Sequence, residues 1–365
     1  MKRGTRRVVR TFAVLAALAV LAVAGVAAKL YADLAAFRDT AFGSAEEKVV
    51  EIPTGSSARQ VVRLLARAGV LADEQRAWRY VRFVKRDHRT MRAGEYAFAG
   101  PLRPDDVLER VYRGEVKTYR FTVAEGLRMD EVAAVIEAAG LGRATELLAL
   151  MRNPAVAKEL GLPFATLEGA LYPDTYTFTR NPPARAVLAA MVARYREEWK
   201  RADAQRLPGV DLDERQAVTL ASIIEKETGR PDERGRISCV FHNRLKRGMR
   251  LGTDPTVLYA KMLRQGGGAF PRNITRADLT TPHPYNTYTT VGLPPGPIAN
   301  PGAEAMRAAL RPDRCGDLYF VSRNDGSHVF CPDLACHEAA VRKWQVDYFR
   351  KPRKSAAAPR PAASR

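Results

Sequence analysis

The sequence predicts an α+β chain: an N-terminal transmembrane helix, a small α/β unit, and a larger, mainly helical unit with short strands. Three observations carry that expectation. At 365 residues the chain exceeds what one hydrophobic core organises. An uncharged, almost wholly apolar run, TFAVLAALAVLAVAGVAA, fills residues 11–28, which is about the length that crosses a bilayer. Beyond it, short β-type segments alternate with helices of 3.6-residue apolar spacing. The composition, 46% apolar and 27% charged, belongs to a globular chain rather than a low-complexity or polytopic membrane one.

The N-terminal segment sets the compartment. Lys2, Arg3, Arg6, Arg7 and Arg10 precede the apolar run, and only Lys29 directly follows it. The positive-inside rule therefore keeps residues 1–10 in the cytoplasm as a basic tail, makes residues 11–31 the anchor, and sends the rest to the extracytoplasmic side. A cleaved signal peptide is the competing reading, because Ala22, Ala24, Ala27 and Ala28 supply small residues for a cleavage site. The run is longer than the apolar core of a signal peptide, which favours a retained anchor. The net charge of +19 is not a nucleic-acid signature. Eleven of its cations lie in residues 1–10 and 350–365, the body carries only a modest basic excess, and no zinc-finger, RRM or helix-turn-helix pattern is present. No nucleic-acid partner is expected.

Cys239, Cys315, Cys331 and Cys336 allow three disulfide connectivities in that compartment, and the sequence does not choose among them. His328, Cys331, Cys336 and His337 cluster in sequence, but their spacing matches no usual zinc knuckle. Neither a metal nor a cofactor is expected.

After a connector (32–47), KVVEIPTGSSARQVVRLLARAGVL reads as a strand, a Thr-Gly-Ser-Ser cap and an amphipathic helix carrying Val61, Val62, Leu64, Leu65 and Val70. A helix over 73–85, a strand over 94–99 and a helix over 104–113 follow. The strand KTYRFTV and the helix in EGLRMDEVAAVIEAAGL repeat the first pattern, either as a second copy of one small unit or as a coincidence between ordinary amphipathic helices. Helical segments over 153–201 surround the loop LEGALYPDTYTF. Asp211 and Glu214 read as a capping-box pair for the helix QAVTLASIIEKET, which Gly229 and Pro231 stop. Two more helices, a loop-rich region (266–302), strands over 318–322 and 328–330 and a helix over 333–348 complete the folded part. The basic tail 350–365 has no means of forming a core and is expected to be disordered.

One helix carries unusual chemistry. Ala217, Val218, Leu220, Ala221, Ile223 and Ile224 cover most of its circumference, so it should be buried on nearly every side. Glu225 lies over the strip of Val218 and Ala221 in the last turn, where burial and the negative helix end both favour an uncharged acid. A protonated carboxyl at neutral pH is what glycosidic bond cleavage requires. The plainer alternative is that Glu225 pairs with Lys226 or another nearby cation. Glu227, over Leu220 and Ile223, is the competing acid.

Four blocks, LEGALYPDTYTF, ASIIEKETG, VFHNRLKRGMRLGTDPTVLY and YNTYTTVGLPPGPIANPG, together resemble the endolytic murein transglycosylase (YceG-like) family over nearly all of the chain after the connector. The resemblance implies a single-pass inner-membrane protein with a LysM-like subdomain, placed here at 48–120, and a transglycosylase catalytic domain at 121–349. It implies cleavage of the bond between N-acetylmuramic acid and N-acetylglucosamine inside peptidoglycan strands, leaving 1,6-anhydro-N-acetylmuramic acid ends and terminating nascent strands near penicillin-binding synthases. It places the catalytic acid at Glu225, the first acid of the Glu-Lys-Glu-Thr block.

Around that acid, Asn243 and Arg244 carry groups for acetamido or carboxylate oxygens. Thr253 and Asp254 either cap the next helix or bind sugar. Tyr285, Asn286, Thr287 and Tyr288 offer amide, hydroxyl and aromatic faces, or anchor their own loop. Glu168 and Asp174 line the groove or stabilise a turn, and the Pro-rich LPPGPIANPG forms a rigid wall. Cys315, Cys331 and Cys336 depart from the family pattern, and the roles of His328 and His337 stay open. Two other readings remain: a glycan-binding scaffold without catalysis, and a muramidase that uses water.

Overall fold

The computed structural model describes residues 2–85, 90–268, 270, 271 and 273–350. The chain forms two compact units that part between Tyr119 and Arg120. Most of the tail read as disordered, 351–365, lies outside the described residues.

The first unit opens with α1 (Lys2–Asp39), one continuous helix. Its apolar stretch is long and apolar enough to cross a membrane, with a mean hydropathy of 2.5 over its most apolar window. Phe12, Leu15, Leu18, Leu21, Val23 and Val26 stand exposed. The helix runs on past residue 31, and its last turns change character: Leu34 and Phe37 are 2% and 7% exposed and belong to the core of the unit.

That core is assembled from β1 (Lys48–Ile52), α2 (Ala58–Arg67), α3 (Glu74–Arg79), β2 (Gly94–Phe98) and α4 (Pro104–Arg113). The helix read over 73–85 changes at Tyr80 to wider, π-type turns that run to Lys85. The two strands pair antiparallel, Lys48 opposite Phe98 and Ile52 opposite Gly94. This register turns Val50, Ile52, Tyr96 and Phe98 onto Val61, Val62 and Leu65 of α2 and Val107, Leu108 and Val111 of α4. Ser57 caps α2 reciprocally with Gln60, as its Thr-Gly-Ser-Ser approach predicts.

The second unit contains β3 (Thr118–Thr122), α5 (Met129–Ala138), α6 (Ala144–Met151), α7 (Pro154–Glu159), β4 (Thr175–Thr179), α8 (Ala184–Asp203), α9 (Glu214–Glu227), α10 (Arg234–Lys246), α11 (Asp254–Arg264), α12 (Arg276–Thr280), α13 (Ala303–Leu310), β5 (Tyr319–Ser322), β6 (His328–Cys331) and α14 (Leu334–Val341). β3 pairs with β4, and Phe121 stacks on Tyr176 and Phe178. The likeness between the two strand-and-helix segments reaches their helix ends. Gly69 after α2 and Gly140 after α5 both take left-handed backbone, and Val70 and Leu141 donate back to Leu65 and Ile136.

Helix α9 is the axis of this unit. Residues Ala217 to Ile224 are all buried, packed against α10, α11 and α13, so the burial expected from its all-round apolar sequence is found. Its capping box is Asp213 with Gln216, two residues beyond the expected Asp211 and Glu214. Glu214 instead accepts the Tyr195 hydroxyl at 2.7 Å. The Pro-rich loop packs on α9, held where Ile298 donates to the Ser222 hydroxyl at 3.0 Å and Arg215 donates to the Pro295 carbonyl.

Candidate functional site

Helix α9 ends at Glu227, and two residues of helix turn through about 200°. Glu225 and Glu227 therefore leave the helix on opposite sides and meet different surroundings. Glu225 is buried, its side chain 6% exposed, and both oxygens are taken: Arg234 of α10 donates to one at 3.1 Å, and the Gly302 N–H before α13 donates to the other at 3.0 Å. Lys226, beside it, reaches the Gly126 carbonyl at 3.2 Å. This side of the helix end ties α9, α10 and α13 together.

Glu227 faces a cleft of about 500 Å³. Arg244, Gly252, Asp254 and Tyr288 line it from one side, and Tyr319, Phe320, His328 and His337 from the β5, β6 and α14 segment. Burial pushes the Glu227 carboxyl up to about 7. The Thr253 hydroxyl, which donates to it, and Arg244 act against that rise, while the Asp254 carboxylate adds to it. Near neutral pH such a group is divided between its acid and its base form, the state a proton-transfer residue needs.

Each neighbour is placed by a local device. Thr253 stands just before α11, and its N–H donates to the Thr287 hydroxyl at 3.0 Å, which fixes the Thr253 side chain toward Glu227. Gly252 precedes it with φ of +56°, left-handed backbone that favours glycine, beside Arg244 and Tyr288. Asp254 accepts the Tyr288 hydroxyl at 2.8 Å. Arg244 donates to the Leu318 carbonyl at 2.6 Å, also reaches the Leu251 carbonyl, and sets its guanidinium 5.1 Å from the centre of the Tyr319 ring.

The structure thus gathers Glu227, Arg244, Thr253, Asp254 and Tyr288 and disperses the other sequence candidates. The Asn243 amide donates to the carbonyls of Cys315 and Asp317. Asn286 is 1% exposed and donates to the carbonyls of Asp278, Leu279 and Thr281, and Thr287 is fully buried, so both anchor their loop. Tyr285 packs its ring on Tyr259, centroids 5.0 Å apart. Asp174 is paired with Arg194 at 2.7 Å, which holds its carboxyl below the usual range. Glu168 is 2% exposed and accepts from the Met129 N–H, the Tyr259 hydroxyl and the Asn300 amide. Burial pushes its carboxyl up to about 8.

The sequence did not single out Tyr319, Phe320 or Gln345 and left His328 and His337 without roles. The chain brings them to the cleft through two disulfides and a hairpin. Cys239–Cys315 joins α10 to the segment that enters β5, and Cys331–Cys336 joins β6 to α14. His328 is held by Glu233, ring nitrogen to carboxylate at 2.7 Å. Among the described residues no group of three or more His, Cys, Asp and Glu is placed to hold a metal ion.

The sequence profile of the YceG-like family matches residues 50–343. A Bacillus subtilis (strain 168) protein named endolytic murein transglycosylase is 31% identical over 316 residues, 81% of this chain and 84% of that protein. The chain belongs to the YceG-like family. Within it, an endolytic murein transglycosylase of Streptococcus pneumoniae is 24% identical over 305 residues, 75% of this chain and 54% of that protein. The crystal structure of a yceG-like protein from Listeria monocytogenes superposes with a TM-score of 0.52 at 31% identity, covering 81% of this YceG-like chain and 99% of that one.

Proposed function

We propose that this chain is a membrane-anchored endolytic peptidoglycan transglycosylase that cuts between N-acetylmuramic acid and N-acetylglucosamine within glycan strands and leaves 1,6-anhydro-N-acetylmuramic acid ends. We further propose that Glu227, not Glu225, is its catalytic acid. The observation that carries the reading is a carboxyl pushed up to about 7 inside an aromatic-lined cleft. Glu225 has both oxygens committed to Arg234 and Gly302. The names of the Bacillus and Streptococcus relatives support the substrate class.

In this mechanism Glu227 gives its proton to the oxygen bridging the two sugars, and the N-acetylglucosamine leaves with a new hydroxyl. The carboxylate then takes the proton of the muramic acid's own C6 hydroxyl as that oxygen bonds to the anomeric carbon. No water is consumed, and Glu227 ends protonated as it began. Thr253 orients the carboxyl, while Arg244, Asp254 and Tyr288 contact sugar oxygens and the acetamido group.

A water-using muramidase is the second reading, favoured by Asp254. It supplies a second carboxylate to the same cleft, and two-carboxylate hydrolysis needs one.

The exposed apolar surface of α1 supports a membrane anchor, and the five cations before the apolar run support an extracytoplasmic enzyme. The order strand, two helices, strand in the first unit supports the LysM-like assignment of 48–120, with the catalytic domain at 121–349. Anchoring near new strands fits a role in terminating their elongation beside penicillin-binding synthases.

The test is mass spectrometry of digested glycan strands from Glu225→Gln and Glu227→Gln chains beside the parent. The parent should yield ends one water lighter than hydrolytic ends. Glu227→Gln should lose at least about a hundredfold in rate, the scale of lost acid-base catalysis, while Glu225→Gln keeps most of it. The reverse pattern would return the acid role to Glu225, hydrolytic ends would select the muramidase, full activity in both variants would reject both glutamates as the acid, and no cleavage by the parent would leave a scaffold.

A further inference from the structure

His337 stands on α14, and its ring lines the cleft that holds Glu227. Three features fix that ring. It stacks on Tyr319, centroids 4.9 Å apart and planes 28° from parallel. The preceding residue, Cys336, is tied by its disulfide to Cys331 at the end of β6. Asp333 caps α14 by accepting the Cys336 N–H at 2.9 Å. A ring so restrained loses little freedom on binding a ligand.

One of its polar atoms, by contrast, is unpartnered among the described residues. His337 Nδ1 is buried without a hydrogen-bond partner among the described residues, a state that costs stability unless a ligand supplies the partner. Burial, with Arg244 nearby, also holds the imidazole below its usual value, so near neutral pH it is uncharged, with one nitrogen donating and the other accepting. A structural histidine normally finds partners for both, as His328 does for its Nδ1 in Glu233. A neutral imidazole fixed against a tyrosine, in a cleft with a proton-transferring carboxyl, matches what an amino sugar presents: an apolar ring face edged by hydroxyl and acetamido groups.

We infer that His337 is a substrate-binding residue, which hydrogen-bonds an N-acetylhexosamine unit of the glycan on the Tyr319 side of the cleft. The inference rests on the transglycosylase reading above for its ligand, but not on which group transfers the proton.

The experiment uses the full chain carrying Glu227→Gln and a peptide-free tetrasaccharide of alternating N-acetylglucosamine and N-acetylmuramic acid. Adding His337→Phe keeps the aromatic ring and removes both nitrogens, and should weaken binding about tenfold, the scale of one or two hydrogen bonds. His337→Gln, which retains a donor and an acceptor, should recover much of the loss. In the chain with Glu227 intact, His337→Phe should raise KM by a similar factor with kcat within about twofold. The second measurement needs no substitution at the histidine: the ¹⁵N resonances of the His337 ring should shift when the tetrasaccharide is added. Affinity within twofold of the parent in the folded His337→Phe chain, unmoved ring resonances, or a parent that does not bind the tetrasaccharide would overturn the inference. Retained cleavage by Glu227→Gln would reject the acid assignment instead and leave the binding result to judge His337 separately.

Discussion

Two glutamates two positions apart differ here in everything that matters for chemistry, because one is spent on Arg234 and Gly302 and the other looks into a cleft. Since the acid form of Glu227 starts the proposed reaction, kcat/KM should be high below and fall as pH rises through about 7. The groups that face Glu227 are Thr253, Asp254, Arg244 and Tyr288. Asp254→Asn removes the like charge among them, so the alkaline limb of the profile should move to lower pH. An unmoved limb would mean that another group sets it. Glu168 makes a separate prediction about stability. Its folded value, about 8, lies above the ordinary carboxylate range, so its contribution is complete at acid pH and is lost as pH rises through about 8. Melting temperature should therefore decline between about pH 5 and pH 8, and Glu168→Gln, which keeps an acceptor for Met129 and Asn300, should make that decline shallower. Equal slopes in the two chains would refute it. From the sequence, Glu227 was a competitor and Glu225 the choice, since both lie over apolar strips of one helix and periodicity ranks neither.

At the scale of elements, the wall made by β5, β6 and α14 is held to the helical body at a few points. Cys239–Cys315, the Asn243 bonds to the Cys315 and Asp317 carbonyls, Arg244 on Leu318 and the Arg236–Asp317 ion pair all meet the short segment leading into β5. The disulfides close loops of very different length, with sequence separations of 76 and 5. The chain-entropy account gives about 4 kcal/mol for the longer loop and about 2 kcal/mol for the shorter. Denaturant unfolding should therefore show Cys239→Ser with Cys315→Ser losing more stability than Cys331→Ser with Cys336→Ser. Glycan affinity should drop in both, since each pair positions residues of the same cleft wall. Stability losses in the opposite order would refute the loop argument. The helices, their glycine ends and the strand pair of this wall were legible from spacing and turn residues. The α9 cap was displaced because Asp211, Asp213, Glu214 and Gln216 all suit a helix start, and only the packed position of the first turn selects among them.

For the whole molecule, the apolar run was the plainest signal in the sequence, yet its helix does two jobs. The large apolar side chains from Phe12 to Val26 are exposed, whereas Leu34 and Phe37 are core residues of the first unit. A chain beginning at residue 32 should stay folded and lose membrane association in a flotation assay. One beginning at residue 48 also loses both buried side chains, worth about 1.5–3 kcal/mol each, and should melt at a clearly lower temperature. Equal melting of the two truncations would show that α1 adds nothing to the core. The expectation of a connector over 32–47 was natural, because two apolar side chains within a charged stretch carry no pattern of their own.

The sequence by itself determined most of the secondary structure, though not the strand Thr175–Thr179 in a segment read as a loop, and also the buried axis helix, the candidate anchor and the family, since these depend on local spacing and on long blocks of resemblance. Only the tertiary structure decided which carboxyl meets the cleft, which cysteines pair, and that Tyr319 and His337 line the same cleft as Arg244. Those facts depend on contacts between separate elements, as far apart in the chain as Cys239 and Cys315, and neither hydrophobic period nor turn chemistry encodes which elements meet.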